Sequence, residues 1–268
     1  MQAFRAAAIQ MSSGPDKRAN LDKAEALVRR AARDGAGLAV LPEVFSWRGP
    51  RGAEADHGES IPGPTSERLA ALACELRIHL QAGSIVERIE GERRCYNTAL
   101  LFDPKGELRG RYRKIHLFDV EIPGQVSARE SEARKPGTES VTVSTEIGMI
   151  GLSVCYDLRF PELYRRLVAA GAEILCIPSA FTFPTGAAHW ETLVRARAIE
   201  NQCYVIAPDQ YGTSPNGYRD YGSSMIVDPW GIVIGRASEG EDVIFADVRP
   251  DVLERVRKEL PCLGHRRL

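Results

Sequence analysis

Apolar residues along this chain switch repeatedly between a spacing of two and a spacing of three to four. Residues 4–10 form a short apolar run closed by SSGPD, the pattern of a strand that ends in a turn. Over residues 20–33, Leu21, Ala24, Leu27, Val28 and Ala31 recur at helical intervals, with Asn20 placed to cap the first turn. AGLAVLP then reads as a strand apolar on both sides, as in a sheet covered on both faces, and Glu43 follows its Pro42. A helix is predicted over residues 65–76, and strands over 79–86 and 96–102, the second ending in the turn DPKG. VTVSTEIGMIGLSVC predicts a hairpin turning at Glu146-Ile147-Gly148. It is followed by a helix in PELYRRLVAAGA, a strand in EILCIP, a helix in HWETLVRARAIENQ and a strand in CYVIAP. SSMIVDPWG and GIVIGRA predict a second hairpin through Pro229-Trp230-Gly231; DVIFADV is a last strand and residues 250–260 a last helix.

Strand and helix alternate, which predicts α/β layers rather than segregated elements. The hairpins fit poorly with an open parallel sheet, and they use too many strands for an eight-fold barrel. Two facing mixed sheets, each covered by helices, accommodate both patterns. The 268 residues are enough for one full-sized core, so a single domain over 1–268 is expected. No GxGxxG opens a helix after the first strand and no P-loop is present, so nucleotide-cofactor binding has little support.

Composition narrows the function. Hydrophobic residues at 44% and charged residues at 26% exclude a disordered or coiled-coil chain. A net charge of -1, from 35 basic and 36 acidic side chains, gives no overall field to gather nucleic acid or an anionic membrane. The 6 cysteines form no CxxC pair or zinc-like cluster, and those in VCYD, ILCIP and QCYVIA lie in apolar runs where thiols pack as small hydrophobes. A reduced, cytoplasmic protein is the expectation. AAAI is too short for a signal-peptide core, and no run reaches the about 18 apolar residues of a membrane span.

Three residues carry candidate chemistry. Cys155 ends an apolar strand just before the helix opened by Pro161, a placement that exposes a thiol and backbone N–H groups to a carbonyl; a buried structural cysteine reads equally from position. A thiol needs a base or a cation beside it. His116 and His189 are candidate imidazole partners, since spacing alone does not exclude a Cys-His pair. Glu43, at the end of a buried strand, is a candidate base, with a solvated loop glutamate as the alternative. Lys114, in GRYRKIHLFD, is followed by Ile115, Leu117 and Phe118, which can wall off a pocket where an ammonium stabilises an oxyanion; a solvated basic edge is the alternative.

LPEVF around Glu43, GRYRKIHLFD around Lys114 and GLSVCYDLRFPELYR around Cys155 resemble, in order, the three signature segments of the nitrilase, or carbon-nitrogen hydrolase, superfamily. The similarity runs over essentially the whole chain. It implies a four-layer αββα sandwich and a Glu-Lys-Cys triad at Glu43, Lys114 and Cys155. It further implies an oxyanion donor in the backbone N–H of Tyr156 and an auxiliary glutamate at Glu130, Glu121 being a less well matched candidate. The implied chemistry is hydrolysis of a linear amide through a thioester, with no metal or organic cofactor. CYDLRFPELYR, HLFDVEIPGQ and the terminal LPCLGHRR resemble the Nit branch of amidases, whose substrates share a 2-oxoglutaryl acyl unit and differ in releasing ammonia or a dipeptide amine. N-carbamoyl hydrolysis and a catalytically silent interaction protein are the alternatives.

Such an acyl unit carries a carboxylate, for which Arg159 is the first candidate, with pairing to Glu162 as its alternative; Arg195 and Arg197 are further candidates. Phe181, Phe183, Thr185 and His189 are expected on a long connection at the pocket rim. The family's mode of pairing implies a homodimer with residues 161–170 at its face. A small-molecule amide is the expected partner, with neither nucleic acid nor membrane.

Overall fold

Two six-stranded sheets face each other in the computed structural model, which describes residues 1–267. The strands are β1 (Phe4–Gln10), β2 (Ala36–Val40), β3 (His79–Arg88), β4 (Cys95–Phe102), β5 (Leu108–Arg113), β6 (Asp119–Ile122), β7 (Val126–Arg129) and β8 (Val141–Thr145). They continue as β9 (Gly148–Leu152), β10 (Ile174–Cys176), β11 (Tyr204–Ala207), β12 (Tyr211–Thr213), β13 (Arg219–Tyr221), β14 (Met225–Val227), β15 (Val233–Arg236) and β16 (Asp242–Val248). The helices are α1 (Lys17–Arg33), α2 (Glu54–His57), α3 (Pro64–Leu76), α4 (Glu130–Ala133), α5 (Pro161–Ala169), α6 (Phe183–Asn201) and α7 (Pro250–Glu259), with a 3-10 turn at Cys155–Arg159.

The first sheet has the order β16-β1-β2-β3-β4-β5 and the second β15-β14-β11-β10-β9-β8. Each is mixed: β1, β2 and β3 run parallel, as do β9, β10 and β11, while the outer strands pair antiparallel. Side chains of β1 alternate between two cores, as a period of two requires. Ala6 and Ala8 face the second sheet, whereas Ala7 and Ile9 face α1 and α3 with Ala24, Val28, Leu69 and Leu72. Leu163 and Leu167 of α5 and Trp190, Val194 and Ala198 of α6 cover the second sheet from outside. The layers are thus α, β, β, α, as expected. Among the described residues no helix is long and apolar enough to cross a membrane.

Two boundaries differ from expectation. α1 begins at Lys17 because Asp16 caps it, accepting the Ala19 N–H at 3.0 Å, and Asn20 is instead buried inside the helix, donating to the Gly14 and Ser46 carbonyls. α6 begins at Phe183 with Pro184 in its first turn, so Phe183, Thr185 and His189 lie on a helix rather than on a connection; Phe181 alone precedes it.

Candidate active site

Three strand ends of the two sheets meet at one place. Leu41 extends the pairing of β2 by donating to the Gln81 carbonyl, and Glu43 then crosses between the sheets, its N–H donating to Ser179 O and its carbonyl accepting from Gln210 Nε2. β3 passes so close that a Cβ on Gly83 would lie 1.9 Å from Pro42 O. Val44 is left-handed at φ 45°, a costly conformation for a β-branched residue, and its N–H is held by Ser84 Oγ. Lys114 follows β5 directly, its N–H donating to Asn97 O at 2.8 Å. Cys155 opens the 3-10 turn after β9 with φ 49°, also left-handed, and its N–H donates to Pro178 O. Buried Asp157 fixes this turn by accepting from Val154 N, Tyr112 OH and His116 N.

The side chains converge. Lys114 Nζ donates to Glu43 Oε1 at 2.9 Å and to Glu130 Oε2 at 2.8 Å, and Asn97 Nδ2 donates to both carboxyl groups at 2.8 and 3.2 Å. Phe118 N–H adds a 2.7 Å bond to Glu130. Glu121 is exposed and accepts from Ser127 instead, so Glu130 is the second glutamate of the cluster. Cys155 lies against Glu43 and Lys114, and the Ala180 backbone N–H points at its sulfur. Among the described residues no imidazole belongs to this group. His116 Nδ1 bonds Asp157 at 2.8 Å with its ring stacked on Phe160, and His189 Nδ1 meets Arg159, so neither forms the Cys-His pair left open by the sequence.

Burial and charge set the resting protonation. Burial alone would push the Glu43 carboxyl up, but the Lys114 ammonium and the donors around it hold it below the ordinary glutamate value. Lys114 is pushed well up: desolvation opposes its charge, and Glu130 and Glu43 outweigh that. Burial, then the Glu43 charge, pushes the Cys155 thiol well up, against the pull of Lys114 and the Ala180 N–H. The cluster therefore rests as carboxylate, ammonium and neutral thiol.

These groups lie in a cavity of about 380 Å³ that Tyr156, Arg159, Phe181 and Thr185 also line, while His189 and Phe183 stand outside it. Arg159 lies over the Tyr156 and Phe181 rings and pairs with no carboxylate among the described residues, Glu162 included. Arg195 bonds Gly231 O, and Arg197 holds the Leu158 carbonyl and Glu200, so neither reaches the cavity. Among the described residues no group of three or more His, Cys, Asp or Glu has the arrangement of a metal site. Asn97 and Ala180 had no sequence signal: one looks like any strand asparagine, and the other acts through its backbone.

The family model for carbon-nitrogen hydrolases matches residues 5–258. The chain is 47% identical to the deaminated glutathione amidase of Homo sapiens, over 97% of this chain and 81% of that one. It is 39% identical to an omega-amidase of Mus musculus over 100% and 96% of the two chains. The crystal structure of the Caenorhabditis elegans NitFhit protein superposes with a TM-score of 0.93 at 41% identity, covering 100% of this chain; the chain spans 66% of the length of that nematode protein.

Proposed function

The chain belongs to the carbon-nitrogen hydrolase family and is an amide hydrolase, and from that premise we propose that Cys155 is its nucleophile, Glu43 its base and Lys114 its oxyanion cation. The observation that carries the reading is the convergence of Glu43, Lys114 and Glu130 on a buried neutral thiol in one cavity. Cys155 Sγ attacks the amide carbon while its proton passes to Glu43. The oxyanion forms against the Lys114 ammonium and the Tyr156 N–H. Collapse breaks the C–N bond as Glu43 returns the proton to the leaving nitrogen, leaving a thioester. Water then attacks the thioester, giving its proton to Glu43, and the departing thiolate recovers that proton. Glu130 and Asn97 hold Lys114 and Glu43 in register.

The substrate we propose is deaminated glutathione, split into 2-oxoglutarate and cysteinylglycine. The human relative bears that activity in its name and matches nearly the whole chain. Arg159, in the cavity wall without a carboxylate partner, suits the carboxylate of the 2-oxoglutaryl unit. Phe181 and Thr185 complete that wall; His189 orients Arg159 from outside it. The six free thiols suit a reducing, cytoplasmic setting. The whole chain works as one domain, since residues from both sheets build the cavity. It pairs as a homodimer. The outward side of α5 offers Glu162 and Arg166, while exposed Ile199, Trp230 and Ile232 lie on and beside the neighbouring α6. A panel of 2-oxoglutaryl amides, scored for ammonia and for carboxylic acid separately, tests the assignment. A higher kcat/KM for the cysteinylglycine amide is expected, and a preference for 2-oxoglutaramate would overturn it.

A further inference from the structure

Arg134 has no use in the chemistry above, and its surroundings are unusual for a guanidinium. It is 7% exposed, its Nη1 is buried without a hydrogen-bond partner, and no carboxylate lies within ion-pair distance among the described residues. A charge taken out of water in this way is unfavourable unless an anion meets it. Cys95 beside it does not supply one, because burial pushes that thiol up and keeps it neutral. Arg134 nevertheless lines the active-site cavity, as do Arg93 and Arg129, which likewise have no carboxylate partner among the described residues. Glu54 and Glu132 line the same cavity, but Glu54 accepts the Gly52 N–H, Glu132 is exposed, and neither pairs with Arg134.

The Arg134 backbone is tied to the segment that carries Glu130 and to β4. The Arg134 N–H donates to Glu130 O at 2.8 Å across α4, and Lys135 N–H pins the segment to Cys95 O at 2.9 Å. Cys95 is two residues from Asn97 on β4, so both face the same side of the strand. Arg134 is the C-cap of α4, one short helix away from Glu130, and a two-residue amine extends about 7 Å.

We infer that Arg134 forms a carboxylate subsite on the leaving-group side of the cavity, reading the free C-terminus of a short peptide amine. The inference rests on the amide hydrolysis proposed above and extends it. With Arg159 on the acyl carboxylate, the cavity then recognises a substrate charged at both ends. Ammonia, as a leaving group, leaves the subsite unfilled.

Calorimetric titration of the full chain with cysteinylglycine and with cysteinylglycinamide tests this without turnover. The wild type is expected to bind the free carboxylate at least about tenfold tighter than the amide. That ratio should fall to about one in Arg134→Met and be partly kept in Arg134→Lys. Equal binding of the two probes by the wild type, or binding of neither, overturns the subsite, as does an unchanged ratio in Arg134→Met. Should that variant not fold, the wild-type ratio and Arg134→Lys decide. Hydrolysis of 2-oxoglutaryl amides is scored separately. Selective dipeptide binding without such hydrolysis contradicts the proposed substrate and supports the subsite, and hydrolysis without selectivity contradicts the subsite alone.

Discussion

In the proposed mechanism Glu43 serves as a base only while ionised, and Cys155 attacks as its proton passes to Glu43. Against desolvation, Glu43 is held below the ordinary carboxyl value by the Lys114 ammonium and the donors around it, so it stays ionised through neutrality and activity falls only on the acid side of the ordinary carboxylate range. Against desolvation too, Lys114 is pushed well up by Glu130 and Glu43, so its ammonium, the proposed oxyanion partner, persists well to the alkaline side of neutrality. The expected profile of kcat/KM is flat across neutrality. A step near about pH 6.5 would reveal an imidazole in the proton path and contradict the assignment. At this scale the sequence was readable by motif and not by residue type. Glu43, Lys114 and Cys155 each have an ordinary structural reading, and only three matched segments in order outweigh it. Asn97 escaped because its action depends on β4 passing beside Lys114, which no local pattern in CYNTAL records.

Strand ends carry the proposed catalytic residues, so backbone fit at those ends is expected to control activity. Gly83 of β3 touches the Leu41 and Pro42 carbonyls, and a methyl group there would displace the segment that delivers Glu43. Gly83→Ala is expected to lower stability by about 1–3 kcal/mol, as overpacking does. It should also cut kcat/KM by more than about tenfold, since small misplacements of catalytic groups are costly. A variant with wild-type melting temperature and activity would show that β3 does not set the position of Glu43. The apolar strands and amphipathic helices were legible because each buries a periodic face. β5 was not, since Arg111, Arg113 and Lys114 also read as a solvated basic edge. Arg111 and Arg113 belong to the outward half of an alternating strand whose Gly110 and Tyr112 are buried, and both pair with Glu87, while Lys114 just beyond the strand is buried. The start of α6 was missed because FPTGAA carries small residues and no apolar stripe, although its Thr185 and Gly186 are buried.

For the molecule as a whole, the layering followed from mixed parallel and hairpin signals, while the cavity between strand ends did not, because it is a property of how two sheets meet. Surface association belongs to this scale as well. Ile199, Trp230, Ile232 and Ile234 are all exposed, and Gly231 lies against Ile199, which joins helix and hairpin into one apolar area. Light scattering should give a dimer for the wild type and a monomer for Trp230→Glu/Ile232→Glu; a monomeric wild type at assay concentration would remove the proposed interface. The proposed mechanism turns on one bond, the thioester between Cys155 and the acyl group. The most direct test is kcat/KM of a folded Cys155→Ala protein on the 2-oxoglutaryl amide of cysteinylglycine. The expected result is a fall of at least about a thousandfold; hydrolysis within about tenfold of the wild type would contradict a cysteine mechanism at this site.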